Sequence, residues 1–169
     1  MRNSPPSRPT KLKDSIWDRF SPAAQATVAR AQQLAVEQQS GCTGTAHLCL
    51  ATLEEIDRNR GVFLLLQVSG VPINEARLYA QSALESAAPT GEPTEFTKGA
   101  IKVLQMADDE SRSIDTRDVT VEHIFTACVR HQREPHVGEV LRPLGLDARQ
   151  LRAHLRSQHN DRPFYAGNV

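Results

Sequence analysis

The sequence of 169 residues lacks several features that would point to particular classes of protein. Lys plus Arg number 20, as do Asp plus Glu, so no net charge attracts a polyanion and generic nucleic-acid binding is disfavoured. No apolar run approaches the roughly 20 residues of a membrane-spanning helix, and the N-terminus has no apolar stretch typical of a secretory signal. We therefore expect a cytoplasmic protein without a nucleic-acid or membrane partner.

Cysteine is scarce, and its number is odd. Cys42, Cys49 and Cys128 lie in unrelated contexts, which argues against a disulfide framework and favours reduced, buried side chains. The sequence also has no convincing period-two alternation of the kind that predicts half-buried strands. With 39% hydrophobic and 24% charged residues, one compact all-α domain is the expected class.

The sequence does contain an internal repeat. Five residues recur 76 positions later (96 − 20) as similar residues, namely Phe20, Ala24, Val28, Ala31 and His47 as Phe96, Ala100, Leu104, Ala107 and His123. After one deletion the displacement becomes 75 (145 − 70) and pairs Val62, Leu66, Gly70 and Val71 with Val137, Leu141, Gly145 and Leu146. Such self-similarity predicts one structural unit used twice.

Start signals and apolar spacing predict four helices in each unit. Ser21 is a favourable N-cap and Pro22 suits the first helical position, after which apolar residues recur at three- and four-residue spacing. Thr97, Thr120 and Asp147 are predicted N-caps in the second unit. We expect eight helices, arranged as two tandem four-helix repeats packed into one bundle.

Composition also predicts the domain boundaries. Proline and polar residues predict a flexible leader at the N-terminus, although Ile16 and Trp17 are expected to pack on the domain. The Ser-Ala-Ala-Pro-Thr-Gly-Glu-Pro stretch predicts a linker. The predicted ranges are 1–14 for the leader, 15–156 for the domain (repeat one 19–86, linker 87–95, repeat two 96–156) and 157–169 for the tail.

Four short segments resemble a known family: Phe20-Ser-Pro-Ala-Ala-Gln, Gly44-Thr45-Ala46-His47-Leu48, Phe96-Thr-Lys-Gly-Ala and Val119-Thr120-Val121-Glu122-His123-Ile124. Over about residues 19–155 the chain resembles the Clp N-terminal domain, a double repeat that receives substrates and adaptors in ClpA- and ClpC-type unfoldases. The resemblance implies a non-catalytic chaperone-system module that binds protein substrates or adaptors, or modulates a Clp unfoldase. An ATPase module would need a phosphate loop ending in Gly-Lys-Ser/Thr, and no Gly-Lys dipeptide occurs. The expectation is a stand-alone domain that needs no cofactor.

The resemblance also implies two related pockets, which in ClpC-type members bind phosphoarginine. Each uses a hydroxyl residue at the start of a repeat's first helix and a Glu in a Thr-Glu-His motif. Carried over by position, one pocket comprises Thr97 and Glu122, while the other comprises Ser21 and Ala46 and lacks its carboxylate. A helix N-terminus can receive phosphate and a carboxylate can pair with a guanidinium.

Plainer interpretations of the same residues stay open. Ser21 and Thr97 can be helix caps alone, and Glu122 can stabilise its own helix start without a ligand. His47 and His123 occupy equivalent places in the two repeats, which favours a duplicated packing role over proton transfer.

Other classes of function have less support. A metal site built from Cys42, His47 and Cys49, or from His131 and His136, matches no standard zinc spacing. No signature selects a Cys-His pair for hydrolysis, so enzyme activity is not expected. The remaining alternatives are a structural accessory that docks on the Clp peptidase ring and a helical DNA-binding regulator, which the balanced charge disfavours.

Overall fold

The computed structural model describes residues 8–55, 60–85, 95–133, 137 and 141–160, and throughout these ranges the chain is helical with connecting turns. The predicted all-α class is confirmed. The helices are α1 Asp14–Trp17, α2 Pro22–Glu37, α3 Thr45–Glu54, α4 Arg60–Val68, α5 Ile73–Glu85, α6 Lys98–Ser113, α7 Val121–Arg130 and α8 Ala148–Asn160, with a 3-10 turn at Arg142–Leu144. Among the described residues, no helix combines the length and apolar character required to cross a bilayer.

The helix starts follow the sequence signals. Ser21 accepts a hydrogen bond from the Ala24 N–H at 3.2 Å, and Asp147 accepts one from the Arg149 N–H at 2.8 Å. α2 then buries an alanine-rich stripe against its neighbours, since Ala24, Val28, Ala31 and Ala35 are fully buried. Small side chains allow close approach of the helices that pack on this stripe.

The second helix of each repeat lies at the centre of the molecule. Eight of the ten residues of α3 are buried, and eight of the ten of α7. These two helices pack against each other, α3 also contacts α2, α5 and α6, and α7 also contacts α2, α4, α6 and α8. A helix that is apolar on nearly all sides belongs in a core.

Two isolated parallel backbone bridges join the repeats reciprocally. Phe20, just before α2, pairs with Val119, just before α7; Phe96, just before α6, pairs with Thr43, just before α3. The hydrogen bonds correspond as well: Val119 accepts from the Ser21 N–H at 2.9 Å, and Thr43 accepts from the Thr97 N–H at 3.0 Å. The start of each repeat's first helix is therefore fixed to the start of the other repeat's second helix.

Buried carboxylates of α6 join further elements. Asp108 is 4% exposed and forms ion pairs with Arg19, which precedes α2, and with Arg112. Glu110 is 1% exposed and receives hydrogen bonds from Arg130 on α7 and Arg152 on α8. Burial alone would raise the pKa of Glu110, but the hydrogen bonds and charges of these two arginines outweigh it and lower the pKa. The Glu110 cluster fixes α8 to the second repeat.

Outside the helices, the structure confirms some predictions and corrects others. Trp17 packs on the domain as expected, stacked on Phe20 with ring centroids 5.4 Å apart. Within the range predicted as leader, Leu12 is 1% exposed and belongs to the hydrophobic core. At the other end, α8 continues to Asn160, beyond the predicted start of the tail.

Several predicted segments lie outside the described residues. They are residues 1–7 of the leader, 56–59 and 86 of repeat one, 87–94 of the linker, 134–136 and 138–140 of the predicted third helix of repeat two, and 161–169 of the tail. Val137 and Leu141 are described, and both are buried as their place in the repeat predicts.

Candidate functional site

The hydroxyl residues of the candidate pockets are helix caps. Thr97 accepts a hydrogen bond from the Ala100 N–H at 3.1 Å, as Ser21 does from Ala24 in the equivalent position. The methyl of Thr97 also approaches Gly44, because a β-carbon added at Gly44 would lie 3.9 Å from Thr97 Cγ2. Both hydroxyls therefore act as helix caps, and Thr97 lies against repeat one.

The bridges exchange the partners that the sequence analysis put together. Ser21 is bonded to Val119, three residues before Glu122, whereas Thr97 is bonded to Thr43, three residues before Ala46. In the part of the chain that the structure describes, no hydrogen bond or ion pair joins the side chains of Thr97 and Glu122. The pockets assigned from sequence, Thr97 with Glu122 and Ser21 with Ala46, stay predictions, and the backbone bridges join each hydroxyl's helix start to the opposite repeat.

The two exchanged pairs offer different chemistry. Beside α7, Glu122 supplies a carboxylate, but α2 begins with Pro22, which has no N–H for an anion. Beside α3, Ala46 supplies no carboxylate, but α6 begins with the exposed cation Lys98, whose backbone N–H is retained. One half is better suited to a guanidinium and the other to an anionic group.

Glu122 lies in the first turn of α7, the end of a helix that a carboxylate stabilises. Its side chain packs against Gly61 of α4, where an added β-carbon would lie 1.8 Å from Glu122 Oε1. Glu122 Oε2 is buried and has no hydrogen-bond partner among the described residues. An oxygen left in this state costs about 1–3 kcal/mol, which makes Glu122 an unusual carboxylate in this structure.

A small cavity adjoins Glu122 on the side of α8. Its volume is about 70 Å³, and it is lined by Ile114, Thr116, Thr120, Glu122, His123, Leu155, Gln158 and His159. Four of these residues have hydroxyl, carboxamide or imidazole side chains besides the buried His123, so the cavity is polar as well as apolar. Sequence reasoning missed both this contribution of α8 and the contact with Gly61, since neither follows from a motif.

The equivalent histidines have matching roles. His47 Nδ1 accepts the N-cap N–H of Gly44 at 2.9 Å, and its Nε2 lies 2.9 Å from Ser40 Oγ. His123 Nδ1 accepts the N-cap N–H of Thr120 at 2.9 Å. Burial lowers the pKa of His47 and of His123 to about 4. The predicted packing role is confirmed, with the addition that each neutral ring caps the helix that carries it.

The described candidate metal ligands are not placed around a common site. Among the described residues, no group of three or more His, Cys, Asp or Glu side chains is placed to hold an ion. Cys49 and Cys128 are buried and Cys42 is partly exposed, and none of the three forms a disulfide bond. His136, named in the second candidate set, lies outside the described residues.

The fold and the reciprocal repeats can now be set beside known proteins. The family model of the Clp repeat N-terminal domain matches residues 19–144, which is most of the chain. The chain belongs to the Clp N-terminal domain family. The resemblance drawn from the four short segments is therefore confirmed.

Individual Clp proteins give the same result. The chain is 26% identical over 138 residues to the negative regulator of genetic competence ClpC/MecB of Bacillus subtilis, covering 81% of this chain. It spans only 16% of the length of that relative. The N-terminal domain of the caseinolytic protease associated chaperone ClpD from Arabidopsis thaliana is 25% identical, with a TM-score of 0.62, and the match covers 88% of this chain and 99% of that domain.

A more distant Clp-type structure shares the fold. The Hsp104 N-terminal domain from Candida albicans superposes with a TM-score of 0.68 at 16% identity, covering 85% of this chain and 93% of that domain. Clp N-terminal domains are thus alike in fold well beyond recognisable sequence identity. In the present chain, that fold places Glu122 at a contact between the two repeats.

Proposed function

We propose that this Clp N-terminal domain is a non-catalytic binding module of the Clp protease system in the cytoplasm, which receives protein substrates or adaptors or modulates a Clp unfoldase. The single observation that carries the proposal is the double repeat of this chain, which is similar in sequence to ClpC/MecB and in sequence and fold to the ClpD N-terminal domain. Ser40 and His47 are in hydrogen-bond contact, but both are buried and His47 Nδ1 already accepts the N-cap N–H of Gly44. This pair therefore serves the helix cap, and binding rather than turnover is the better account.

For the ligand, we propose proteins marked with phosphoarginine. Glu122 is the candidate partner of the guanidinium, because a carboxylate binds that group with two parallel hydrogen bonds. Ser21 lies on the bridged segment beside it, and Thr97 with Lys98 forms the opposite helix start, where an anion is favoured. Since Ala46 stands where Thr97 would need a carboxylate, one guanidinium site per chain is expected.

The experiment is a calorimetric titration with a phosphoarginine peptide, using unmodified-arginine and phosphoserine peptides as ligand controls. Wild type should bind near one peptide per chain, and Glu122→Ala should lose most of that affinity. Glu75→Ala, which removes an exposed carboxylate from α5, is the matched control and should bind like wild type. Equal binding by wild type and Glu122→Ala would refute the assignment.

A gain of function makes the ligand test sharper. Ala46→Glu restores a carboxylate at the degenerate position beside Thr97, where the side chain is only partly buried. The stoichiometry should rise from about one to about two, provided the helix start at Thr97 receives the phosphate. A second measurement addresses the broader proposal: the purified chain should alter substrate degradation by its cognate Clp machine. No effect on substrate binding or degradation would count against a role in this system.

A further inference from the structure

Gly61 leaves space for a carboxylate that belongs to the other repeat. It is the second residue of α4 in repeat one, and Glu122 comes from α7 of repeat two. A β-carbon at position 61 would lie 1.8 Å from Glu122 Oε1, 2.7 Å from Cδ and 2.9 Å from Cγ. Contacts this short do not occur in folded proteins, so the present position of Glu122 requires glycine at 61.

One of the two carboxylate oxygens has no access to solvent, although Glu122 as a whole is partly exposed. Glu122 Oε2 is buried and has no hydrogen-bond partner within the described ranges. An ionised oxygen in that state is less stable than one that is hydrated or paired with a cation. Glu122 is therefore held in a position in which a guanidinium could not pair with both of its oxygens without movement of the side chain.

We infer that Gly61 is a positioning residue for Glu122, and that the Gly61 contact is an autoinhibitory seat for the carboxylate between the two repeats. A ligand guanidinium pairs with both oxygens of Glu122 only after the side chain turns out of this seat. The buried, unpartnered Oε2 lowers the cost of that turn, because outside the seat this oxygen can find a partner. The ligand part of the inference rests on the proposed function, whereas the seat itself does not.

The seat is tested first, without any ligand. Carbodiimide labelling of carboxylates, quantified by mass spectrometry, should modify Glu122 slowly in wild type and at least several-fold faster in Gly61→Ala, where the added methyl expels the side chain. Gly44→Ala is the matched control, since its added β-carbon would lie 3.6 Å from the nearest atom, an ordinary contact. Unchanged labelling of Glu122 in Gly61→Ala overturns the inference.

A double-mutant cycle covers the case in which Gly61→Ala folds poorly. If the clash is with Glu122, adding Glu122→Ala to Gly61→Ala should restore the urea midpoint to that of Glu122→Ala alone. Additive losses from the two substitutions would show that Gly61 acts through other atoms and would overturn the inference.

A peptide-binding measurement then tests the positioning role of Gly61 separately from the proposed ligand. Gly61→Ala, at a temperature where it is folded, should bind the phosphoarginine peptide several-fold more tightly than wild type. Weaker or equal binding overturns autoinhibition. If neither protein binds the peptide while labelling and the cycle agree with the seat, the proposed ligand fails and the positioning role of Gly61 stands.

Discussion

Acid should destabilise this domain through the two buried histidines. His47 and His123 are 4% and 2% exposed, and each uses neutral Nδ1 to accept the N-cap N–H of its own helix. A protonated ring cannot accept that hydrogen bond, and burial lowers the pKa of each ring from 6.5 to about 4. The unfolded chain therefore takes up these protons first as the pH falls, and stability is lost between about pH 6.5 and pH 4.

The size of the effect follows from those pKa values. Going from pH 7 to pH 5, each histidine should reduce the free energy of unfolding by about 2 kcal/mol, and the pair by about 4 kcal/mol. The assay is urea unfolding followed by circular dichroism at pH 7, 6 and 5. Replacing each histidine with Gln keeps an acceptor at the third helical position and removes the titration, so the doubly substituted protein should lose far less stability over this range.

The control is the exposed histidine His159 at the end of α8, which makes no N-cap hydrogen bond. His159→Gln should reproduce the wild-type pH dependence. If wild type and the protein lacking His47 and His123 lose the same stability between pH 7 and pH 5, the histidine caps are not the acid-sensitive element and the reasoning is refuted.

Three further predictions concern stability. Thr126 Oγ1 is buried without a hydrogen-bond partner among the described residues, so Thr126→Val should stabilise the domain by about 1 kcal/mol. Thr52→Val should not stabilise it, because the Thr52 hydroxyl donates to the Cys49 carbonyl at 2.7 Å. Glu110→Gln should lower the free energy of unfolding by about 3 kcal/mol, because Arg130 and Arg152 lose their buried anionic partner. Glu54→Gln should lower it by less than about 1 kcal/mol, because the ion pair of Glu54 with Arg30 is more exposed. Ser21→Ala should cost about 1 kcal/mol through loss of the N-cap. Urea midpoints measure all three, and a stabilising Glu110→Gln would contradict the ion-pair account.

Local features of this fold could be predicted because they depend on neighbours in sequence. The caps at Ser21, Thr97 and Asp147 follow from residue type and the apolar spacing behind them. The equivalence of His47 and His123 follows from the repeat. Each of these features is decided within one helical turn, which is the distance over which a sequence pattern is informative.

Sequence patterns could not predict the contacts between residues that are far apart in the chain. Nothing in the spacing of Thr97 and Glu122 shows that the backbone fixes Thr97 to the opposite repeat. Glu110 looks like an ordinary helical charge, although its equivalent in repeat one, 76 positions earlier (110 − 34), is the buried Leu34. That equivalence was the available signal that Glu110 is buried and needs cationic partners.

The reciprocal bridges have a consequence for the origin of the domain. Phe20 of repeat one pairs with Val119 of repeat two. Phe96, the counterpart of Phe20, pairs in turn with Thr43, the counterpart of Val119. Reciprocal contacts of this kind are found at the isologous interface of a twofold-symmetric homodimer, and here they occur within a single chain. In a lone repeat, the backbone before each of these two helices would lack the segment that it pairs with. The duplicated unit is therefore best regarded as a fused dimer, whose halves, produced as separate chains, should find each other.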